Sequence, residues 1–460
     1  MSLWEYIKEN LHRSMSQTIA EDGAKMTYEE LLIFAESFSE NIKYERCCAI
    51  YCKSEMATAM ALLGCFAAGV TAVPLSWRYG DVHCKKILDL ISPTCIITDF
   101  KGGLRAYRII DSKYDCPPTN PALIMCTSGT TGVPKGAMLS EKNIITNVED
   151  IVSYFNIDKT DTILISRPMY HCAVLTGEFL TSIVKGTKIV FSSDNFNPVN
   201  IIDLWKKHRI TVFCGTPTLL RLLSRFCSKT EDICLKHIVI SGECMGASVG
   251  SEIEKAFPGS KIYHVYGLTE ACPRVSYMPP EFFTNEPSAV GRPLPSVDIK
   301  IIDNITNDIV KNGERGMLWV KGDNIMLGYY NSPEQTATVL KDGWLCTGDI
   351  ASIDSYGWLK IHGRYDNLII RAGMNIYPQE IESEMKKDSR TKEVIVYGKI
   401  DEKYGMQVVM EIDGEYVSKD EVYELCKKTL PSYQIPTKIH LVKELPKNAS
   451  GKINRVRNNG

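Results

Sequence analysis

Residues 127–136 read Thr-Ser-Gly-Thr-Thr-Gly-Val-Pro-Lys-Gly. This short loop combines four hydroxyls, three glycines and one lysine. Hydroxyls donate to phosphate oxygens, glycines let backbone N–H groups approach an anion closely, and the lysine adds a charge that can follow a leaving polyphosphate. The apolar stretch 122–126 just before the loop predicts a buried strand. The pattern therefore predicts a phosphate-binding loop that hangs from the edge of a sheet.

Two other interpretations of this loop compete with a phosphate site. The Walker A loop requires a glycine, four further residues, and then Gly-Lys-Ser or Gly-Lys-Thr. Here Pro134 occupies the place of the second glycine, and Lys135 is followed by Gly136 and Ala137, so the Walker pattern fails. An ordinary surface loop rich in Ser, Thr and Gly is the other interpretation, and the motifs further along the chain argue against it.

Composition indicates a protein that acts on small molecules in a reducing compartment. The 460 residues include 53 basic and 55 acidic side chains without a long run of one sign, so neither nucleic-acid binding nor electrostatic membrane attachment is indicated. The 16 cysteines contain no Cys-x-x-Cys pair and often sit in apolar segments, as expected of reduced thiols. No signal peptide is visible, so we expect a cytoplasmic protein.

The uncharged stretch 56–75 is long enough on paper to cross a bilayer. It is rich in Ala, Gly and Thr, however, and Gly69 and Pro74 interrupt it. We therefore predict a buried helix that runs into a buried strand, and no transmembrane segment.

Three kinds of pattern follow one another along the chain. Apolar runs alternate with helical patterns up to about residue 288, which predicts an α/β unit with buried and mainly parallel strands. Short strands with Gly and Asn turns follow, which predicts an antiparallel β-rich subdomain. After Asp366 the pattern restarts as a small α+β unit. We expect a large N-terminal domain at 1–364 and a small mobile domain at 365–460.

Further clusters of chemically useful residues lie downstream of the loop. Tyr266 to Glu270 (Tyr-Gly-Leu-Thr-Glu) follow an apolar strand and place an aromatic ring, a hydroxyl and a carboxylate at a strand end, where ligands of α/β sheets bind. The carboxylate of Glu270 suits Mg²⁺ and the ring of Tyr266 suits stacking on a base. A plain turn between strand and loop is the alternative.

Asp349 and Arg364 flank two predicted strands that are joined near Tyr356, so strand pairing would bring the two side chains together. A carboxylate that accepts from two vicinal hydroxyls is a familiar way to hold ribose. A structural salt bridge is the alternative. Lys452 lies on a Gly/Ser loop near the end of the chain, and taken alone it is a surface lysine without a function.

Taken together, these motifs resemble the adenylate-forming superfamily of acyl-CoA synthetases, peptide-synthetase adenylation domains and luciferases. They occur between residues 27 and 455 in the family's order and approximate spacing. The resemblance implies that the chain activates a carboxylic acid with ATP to give an acyl-adenylate and pyrophosphate, with Mg²⁺ present, and then transfers the acyl group to a thiol. Coenzyme A or the phosphopantetheine of a carrier protein would supply that thiol.

The resemblance also implies roles for individual residues. Glu270 would bind Mg²⁺, Thr269 would contact the α-phosphate, and His171 would approach the substrate carboxylate, with a core histidine as the alternative. Lys452 would reach between that carboxylate and the α-phosphate. Asp366 would be the hinge of the small domain, and Arg371 and Gly373 would line the thiol tunnel. The implied ATP-binding residues are Thr127, Ser128, Gly129, Thr130, Thr131, Gly132, Lys135, Gly242, Glu243, Tyr266, Gly267, Thr269, Asp349, Arg364 and Lys452.

The acid and the acceptor are only partly defined at this level. Amino-acid-activating relatives place an aspartate near residues 172–177, whereas this chain has no carboxylate there before Glu178. An acyl or aryl acid is therefore favoured over an amino acid. Gly242 and Glu243 resemble the peptide-synthetase version of their segment, which leaves a separate acyl carrier protein open as the acceptor. A non-catalytic nucleotide-binding regulator and a luciferase-like oxygenase are the competing classes, and intact Lys452, Glu270 and Asp349 argue against the regulator.

Overall fold

A computed structural model of the chain describes residues 1–77, 81–100, 103–128, 134–192, 197–227, 233–371, 374–401 and 405–446. Most helices begin at a polar capping side chain or at a proline, as the sequence signals require. The helices are α1 (Leu3–His12), α2 (Tyr28–Ile42), α3 (Glu55–Ala68), α4 (Asp81–Ile91), α5 (Glu141–Tyr154), α6 (Cys172–Val174), α7 (Thr181–Lys185), α8 (Pro198–His208), α9 (Pro217–Cys227), α10 (Ala247–Ala256), α11 (Pro280–Phe283), α12 (Pro333–Val339), α13 (Pro378–Met385) and α14 (Lys419–Thr429).

The strands are short, and many are buried on both faces. They are β1 (Thr18–Glu21), β2 (Ala24–Thr27), β3 (Cys47–Ile50), β4 (Thr71–Pro74), β5 (Cys95–Phe100), β6 (Gly103–Arg108), β7 (Leu123–Ser128), β8 (Pro134–Leu139), β9 (Thr162–Ile165), β10 (Lys188–Phe191), β11 (Val212–Gly215), β12 (His237–Ile240), β13 (Lys261–Gly267), β14 (Arg274–Met278), β15 (Arg292–Pro293), β16 (Val297–Ile302), β17 (Gly316–Gly322), β18 (Gly328–Tyr329), β19 (Leu340–Lys341), β20 (Trp344–Ile353), β21 (Leu359–Arg364), β22 (Ile369–Arg371), β23 (Met374–Ile376), β24 (Thr391–Asp401), β25 (Gly405–Gly414) and β26 (Lys438–Leu441).

Two large sheets form the α/β part that the alternating pattern predicts. The first has the order β15-β14-β13-β12-β11-β9-β10-β1-β2, and its six strands from β13 to β1 run parallel. The second has the order β18-β8-β7-β4-β3-β5-β6, with β7, β4, β3 and β5 parallel. The expectation of buried parallel strands is confirmed.

The uncharged stretch 56–75 forms α3 and β4, as expected. α3 begins at Ser54, whose hydroxyl accepts from the Ala57 amide, and ends at Gly69, which adopts a left-handed conformation. Its side chains are buried on nearly every side, which explains why the stretch is apolar throughout. Among the residues that the structure describes, no helix combines the length and the hydropathy needed to cross a membrane.

The change of pattern near residue 288 marks a separate sheet. β16, β17, β20 and β19 lie side by side, β21 pairs with β20, and every neighbouring pair is antiparallel. This confirms the antiparallel β subdomain. The middle of its strand β20 lies close to the carboxyl end of β13 in the nine-stranded sheet, because the Tyr266 hydroxyl donates to the Asp349 carboxylate.

The C-terminal part is a small α+β unit with its own core. The hairpin β22–β23 and the sheet β24-β25-β26 pack with α13 and α14 around an apolar cluster that includes Ile369, Met410 and Cys426. Two polar contacts tie α13 and its end to the rest of the chain. Glu380 pairs with Arg315 at 2.6 Å, and Arg221 donates to the Lys386 carbonyl. The predicted division between residues 364 and 365 remains a prediction.

The buried His264 on β13 generates a testable dependence of stability on pH. Its side chain is almost fully buried, and this burial lowers its pKa to about 4. An unfolded histidine has a pKa near 6.5, so between pH 6.5 and 4 the unfolded chain binds a proton that the folded chain does not. As the pH is lowered from 6.5 to 4, the free energy of unfolding should therefore decrease, by up to roughly 3 kcal/mol from this group.

We expect His264→Gln to reduce the difference in melting temperature between pH 7 and pH 5. His440→Gln is the matched control, because His440 is exposed on β26. Calorimetry of both variants measures the effect. An unchanged difference in the His264 variant would contradict the assignment.

Candidate active site

The loop 127–136 lies at the turn of a β-hairpin. β7 and β8 pair antiparallel, with Thr127 opposite Lys135 and Ser128 opposite Pro134. β7 also runs parallel to β4, so the hairpin turn lies at the carboxyl end of a central strand. The strand predicted at 122–126 is thus confirmed. Four of the predicted phosphate-binding residues fall outside the described residues, namely Gly129, Thr130, Thr131 and Gly132.

Tyr329 connects this hairpin to the predicted metal-binding carboxylate. β18 pairs with β8, which places Tyr329 directly opposite Ala137. The Lys135 ammonium lies 5.1 Å from the centre of the Tyr329 ring, and the Tyr329 hydroxyl donates to Glu270 Oε1 at 2.8 Å. Burial, together with the neighbouring Glu270, raises the pKa of Tyr329 far above its ordinary value, so the phenol remains a donor.

Glu270 lies in a 3-10 turn that follows β13. A side chain at Gly267 would place its Cβ 1.9 Å from the Pro273 carbonyl oxygen, so only glycine fits where the chain turns back into β14. Thr269 opens the turn that carries Glu270.

The environment of Glu270 fits a magnesium ion held jointly with a substrate. Tyr329 occupies one carboxylate oxygen, and the other accepts no hydrogen bond within the described part of the chain. That same part holds no group of three or more His, Cys, Asp or Glu side chains arranged to enclose a metal. Mg²⁺ typically takes one or two protein carboxylates and completes its shell with phosphate oxygens and water, so this donor set suits it.

Asp349 and Arg364 meet as their strands predicted. They are direct partners in the β20–β21 pair, and Arg364 Nη1 lies 3.7 Å from Asp349 Oδ1. The Tyr266 hydroxyl donates to Asp349 Oδ2 at 2.5 Å, while Arg364 also donates to the Thr347 carbonyl. Burial and the Asp349 carboxylate raise the pKa of Tyr266, which keeps this phenol protonated. Asp349 is therefore fixed from two sides.

Gly348 makes this arrangement possible. It adopts φ +72°, and a Cβ at this position would lie 2.8 Å from Arg364 Nη2. The glycine thus supplies both the left-handed backbone and the space that the guanidinium occupies.

In the segment after β12, Gly242 and Glu243 differ in exposure and in side-chain contacts. Gly242 is exposed, whereas the Glu243 carboxylate accepts from the Thr218 hydroxyl at 2.7 Å. Thr218 lies in the first turn of α9, where a negative charge is favourable. The side chain of Glu243 therefore orders this segment and leaves the Gly242 backbone accessible.

His171 caps a helical segment that changes its pitch. α6 leads into a π-helical turn at Leu175–Leu180, which continues as α7. His171 is partly exposed, and its ring centre lies 4.3 Å from that of Tyr170. π-Helical turns are rare and occur frequently at functional sites.

A buried ion pair behind His171 was not predicted from the sequence. Arg167 Nη2 lies 2.6 Å from Glu178 Oε1, and Arg167 Nη1 donates to the Ser241 hydroxyl. Burial raises the pKa of Glu178, and Arg167 opposes this shift. The first carboxylate after residue 171 is therefore already paired. A lone arginine next to a proline gives no local signal of such a partner.

The predicted hinge residue Asp366 lies just before β22, and the predicted thiol-tunnel residue Arg371 lies at the end of β22. Asp366 is exposed in a short turn between β21 and β22. Arg371 ends β22, and its guanidinium donates to the carbonyl oxygens of Tyr433 and Ile435. Gly373 and Lys452 lie outside the described residues.

Two cysteines, Cys214 and Cys272, are buried near the predicted acid and metal-binding residues. The Cys214 thiol interacts electrostatically with Arg167 and Glu178, and Cys272 directly follows the turn that contains Glu270. Burial raises the pKa of both thiols well above the ordinary value.

Comparisons with known proteins agree with this arrangement. The sequence profile of the family described as "AMP-binding enzyme" matches residues 7–330, and that of the "AMP-binding enzyme C-terminal domain" matches residues 380–452. The 2-succinylbenzoate–CoA ligase of Bacillus pumilus is 32% identical over 420 residues, which cover 86% of this chain and 84% of that protein. The indoleacetate–CoA ligase of Aromatoleum aromaticum is 27% identical over 94% of this chain and 92% of its own length.

The fold also matches solved structures over nearly its whole length. The o-succinylbenzoate CoA synthetase from Bacillus subtilis, in complex with its acyl-adenylate intermediate, superimposes with a TM-score of 0.86 at 25% identity. The match covers 98% of this chain and 97% of that one, and the same synthetase has been solved with ATP and a magnesium ion. With most of its length matched by both profiles and by these relatives, the chain belongs to the AMP-binding enzyme family.

Proposed function

We propose that this protein is an AMP-forming acid–thiol ligase that makes acyl-coenzyme A. In the first step a substrate carboxylate attacks the α-phosphorus of ATP, the bond to pyrophosphate breaks, and an acyl-adenylate forms. In the second step the thiol of coenzyme A attacks the acyl carbonyl, AMP leaves, and the thiol proton passes to solvent. Family membership and the CoA-ligase relatives support both steps.

One observation carries the proposal most directly: two sets of polar contacts flank the carboxyl end of β13. On one side Lys135, Tyr329 and Glu270 contact one another in turn. On the other side Asp349 contacts both Tyr266 and Arg364. A lysine, a hard oxygen ligand and a fixed carboxylate at one strand end match the triphosphate, the cation and the sugar of a nucleotide.

We assign the phosphates to the hairpin side of this set. Thr127, Ser128 and the loop that follows them would hold the β- and γ-phosphates together with Lys135. Thr269 would donate to the α-phosphate. Glu270, oriented by the Tyr329 hydroxyl, would hold Mg²⁺, which supplies positive charge against the phosphate oxygens when it is bound.

We assign the nucleoside to the opposite side. Asp349 would accept from the ribose hydroxyls, with Arg364 beside it, and the Tyr266 ring would stack on adenine. Gly267 and the exposed backbone at Gly242 and Glu243 would border the base. The hydrogen bond from Tyr266 to Asp349 supports this assignment, because it fixes the ring and the carboxylate relative to each other.

Lys452 and His171 complete the first step in this proposal. His171 would lie beside the substrate carboxylate, and Lys452 would neutralise the charge that gathers between this carboxylate and the α-phosphate. A fixed charge at about 4 Å with an effective dielectric near 20 contributes roughly 4 kcal/mol, or about a thousandfold in rate.

For the second step we propose that the small domain turns about Asp366. The turn after β22 would then face the reaction centre, with Arg371 beside it and Gly373 leaving room for the pantetheine arm. Coenzyme A is favoured as the acceptor because the compared relatives are named as CoA ligases. Loading of a separate carrier protein is the disfavoured alternative. The predicted cytoplasmic location remains a prediction.

Gly348→Ala tests the nucleoside assignment. The new methyl group should displace the Arg364 guanidinium from Asp349 and weaken ATP binding about tenfold or more, the cost of one disturbed charged hydrogen bond. Gly357→Ala is the matched control, because Gly357 has φ +82° but nothing within 4 Å of its Cβ. Both variants should lose stability, but calorimetric titration with ATP should show weaker binding only for the first. Equal ATP affinities would contradict the assignment.

Lys452→Ala separates the two steps. We expect pyrophosphate exchange to fall about a thousandfold, because the charge at the forming bond is lost. Thioester formation from supplied acyl-adenylate and coenzyme A should remain largely intact. Lys438→Ala is the control, because Lys438 is exposed on β26. An equal loss of both steps would refute the role of Lys452.

The decisive experiment on function is pyrophosphate release with ATP, Mg²⁺ and a panel of acyl and aryl acids, each with and without coenzyme A. Many turnovers that require coenzyme A would support the proposal. Release that stops near one equivalent in both conditions would favour a carrier protein as the acceptor. No release with any acid would overturn the proposed reaction.

A further inference from the structure

Arg274 is held at the start of β14 by an unusually firm backbone environment. The Asn147 amide group donates to the Arg274 carbonyl, and its oxygen accepts from the Arg274 amide. Asn324 donates to the same carbonyl. Asn147 and Asn324 are both fully buried, so the starting point of the Arg274 side chain is fixed.

Arg274 is a buried arginine whose Nε has no hydrogen-bonding partner among the described residues. The residue is only 4% exposed, yet within the described part of the chain its side chain forms no hydrogen bond and no ion pair within 4 Å. Its Nε is sealed from solvent and unsatisfied. An arginine cannot escape this cost by losing its proton, and a buried, unpaired charge is strongly unfavourable. The site is therefore incomplete as it stands.

Arg274 points into the wall that carries His171. Its Nη2 atom lies where a Cβ on Gly177 would come within 2.8 Å, so the π-helical turn provides the space that the guanidinium fills. The Thr176 hydroxyl also contacts the Cys272 carbonyl, which joins this turn to the strand end that bears Glu270. The guanidinium thus lies between the two segments to which we assign the acid and the phosphates.

The surrounding charges do not balance Arg274. The Glu178 carboxylate interacts electrostatically with Arg274, but it already pairs with Arg167 at 2.6 Å. If Glu178 is ionised, the three side chains carry one excess positive charge. If Glu178 is protonated, they carry two. In either state the cluster lacks an anion.

We propose that the acid activated by this enzyme carries a second anionic group, a carboxylate in its simplest form, which pairs with Arg274. This inference rests on the proposed function, because it concerns the acid bound beside His171. One carboxylate of the substrate reacts with ATP, and the other approaches the Arg274 guanidinium and supplies the missing charge. An acid with a neutral tail of the same shape leaves Arg274 unpaired and desolvated.

The expected discrimination is large. Sites built around a buried polar group reject analogues that leave this group unpaired far more strongly than apolar pockets reject a changed alkyl group. We expect a diacid to exceed its own monomethyl ester by about a hundredfold or more in kcat/KM.

The test is ATP–pyrophosphate exchange with matched acids and the full-length protein. The panel contains succinate, adipate, sebacate and phthalate, each beside its monomethyl ester, together with hexanoate, decanoate and benzoate. Arg274→Met removes the charge, and Gly177→Ala displaces the guanidinium without removing it. Arg292→Met is the control, because Arg292 is exposed on the neighbouring strand β15. The KM for ATP and the melting temperature are measured in parallel.

The proposal expects wild type and the Arg292 variant to prefer one of the diacids over its ester. Arg274→Met should lose that preference, and Gly177→Ala should reduce it. The KM for ATP should change little for Arg274→Met, and the melting temperature without ligand should stay the same or rise, since no partner in the protein is lost and a buried, unpaired charge is removed. A lower melting temperature with an unchanged preference would show that the arginine is structural and overturn the proposal.

Two further outcomes separate this inference from the function on which it rests. Exchange with monoacids as efficient as with diacids, unaffected by Arg274→Met, would overturn the second anion and leave the ligase reaction standing. No exchange with any acid would overturn the ligase reaction itself, and this inference with it.

Discussion

The hydrogen bond between the Tyr266 hydroxyl and the Asp349 carboxylate joins the nine-stranded sheet to the antiparallel sheet. On the Tyr266 side the chain continues through Glu270 to Arg274, and on the Asp349 side it runs through Arg364 to the proposed hinge at Asp366. The roles proposed for Tyr266, Asp349 and Arg364 depend on the relative position of these two sheets. A single charged hydrogen bond between partly buried groups contributes only about 1.5–3 kcal/mol, but it fixes the orientation of both groups at once.

The part of the site that could be predicted consists of residues that lie close together in sequence or on neighbouring strands. The phosphate-binding pattern at 127–136 can be recognised from the sequence because its hydroxyls, glycines and lysine are neighbours in sequence. The meeting of Asp349 and Arg364 follows from the pairing of two strands joined by a short turn.

Long-range partnerships could not be predicted in this way. Tyr329 reaches Glu270 because the two-residue strand β18 pairs with β8, and the sequence around residue 329 does not predict that pairing. The Asn147 side-chain amide donates a hydrogen bond to the Arg274 carbonyl, although the two residues are 127 positions apart in sequence. Burial of Arg274 depends equally on the pitch of the turn that contains Gly177. Such features arise from packing between distant segments, for which residue type and spacing carry little information.

The raised pKa values of Cys214 and Cys272 have a consequence for chemical self-protection. An enzyme that forms an acyl-adenylate holds a potent acylating agent within its own walls. Thiolates, rather than thiols, capture such agents, and burial keeps these two sulfurs protonated. These two thiols are therefore poor acceptors of the activated acyl group, which favours its survival until an incoming thiol reaches it.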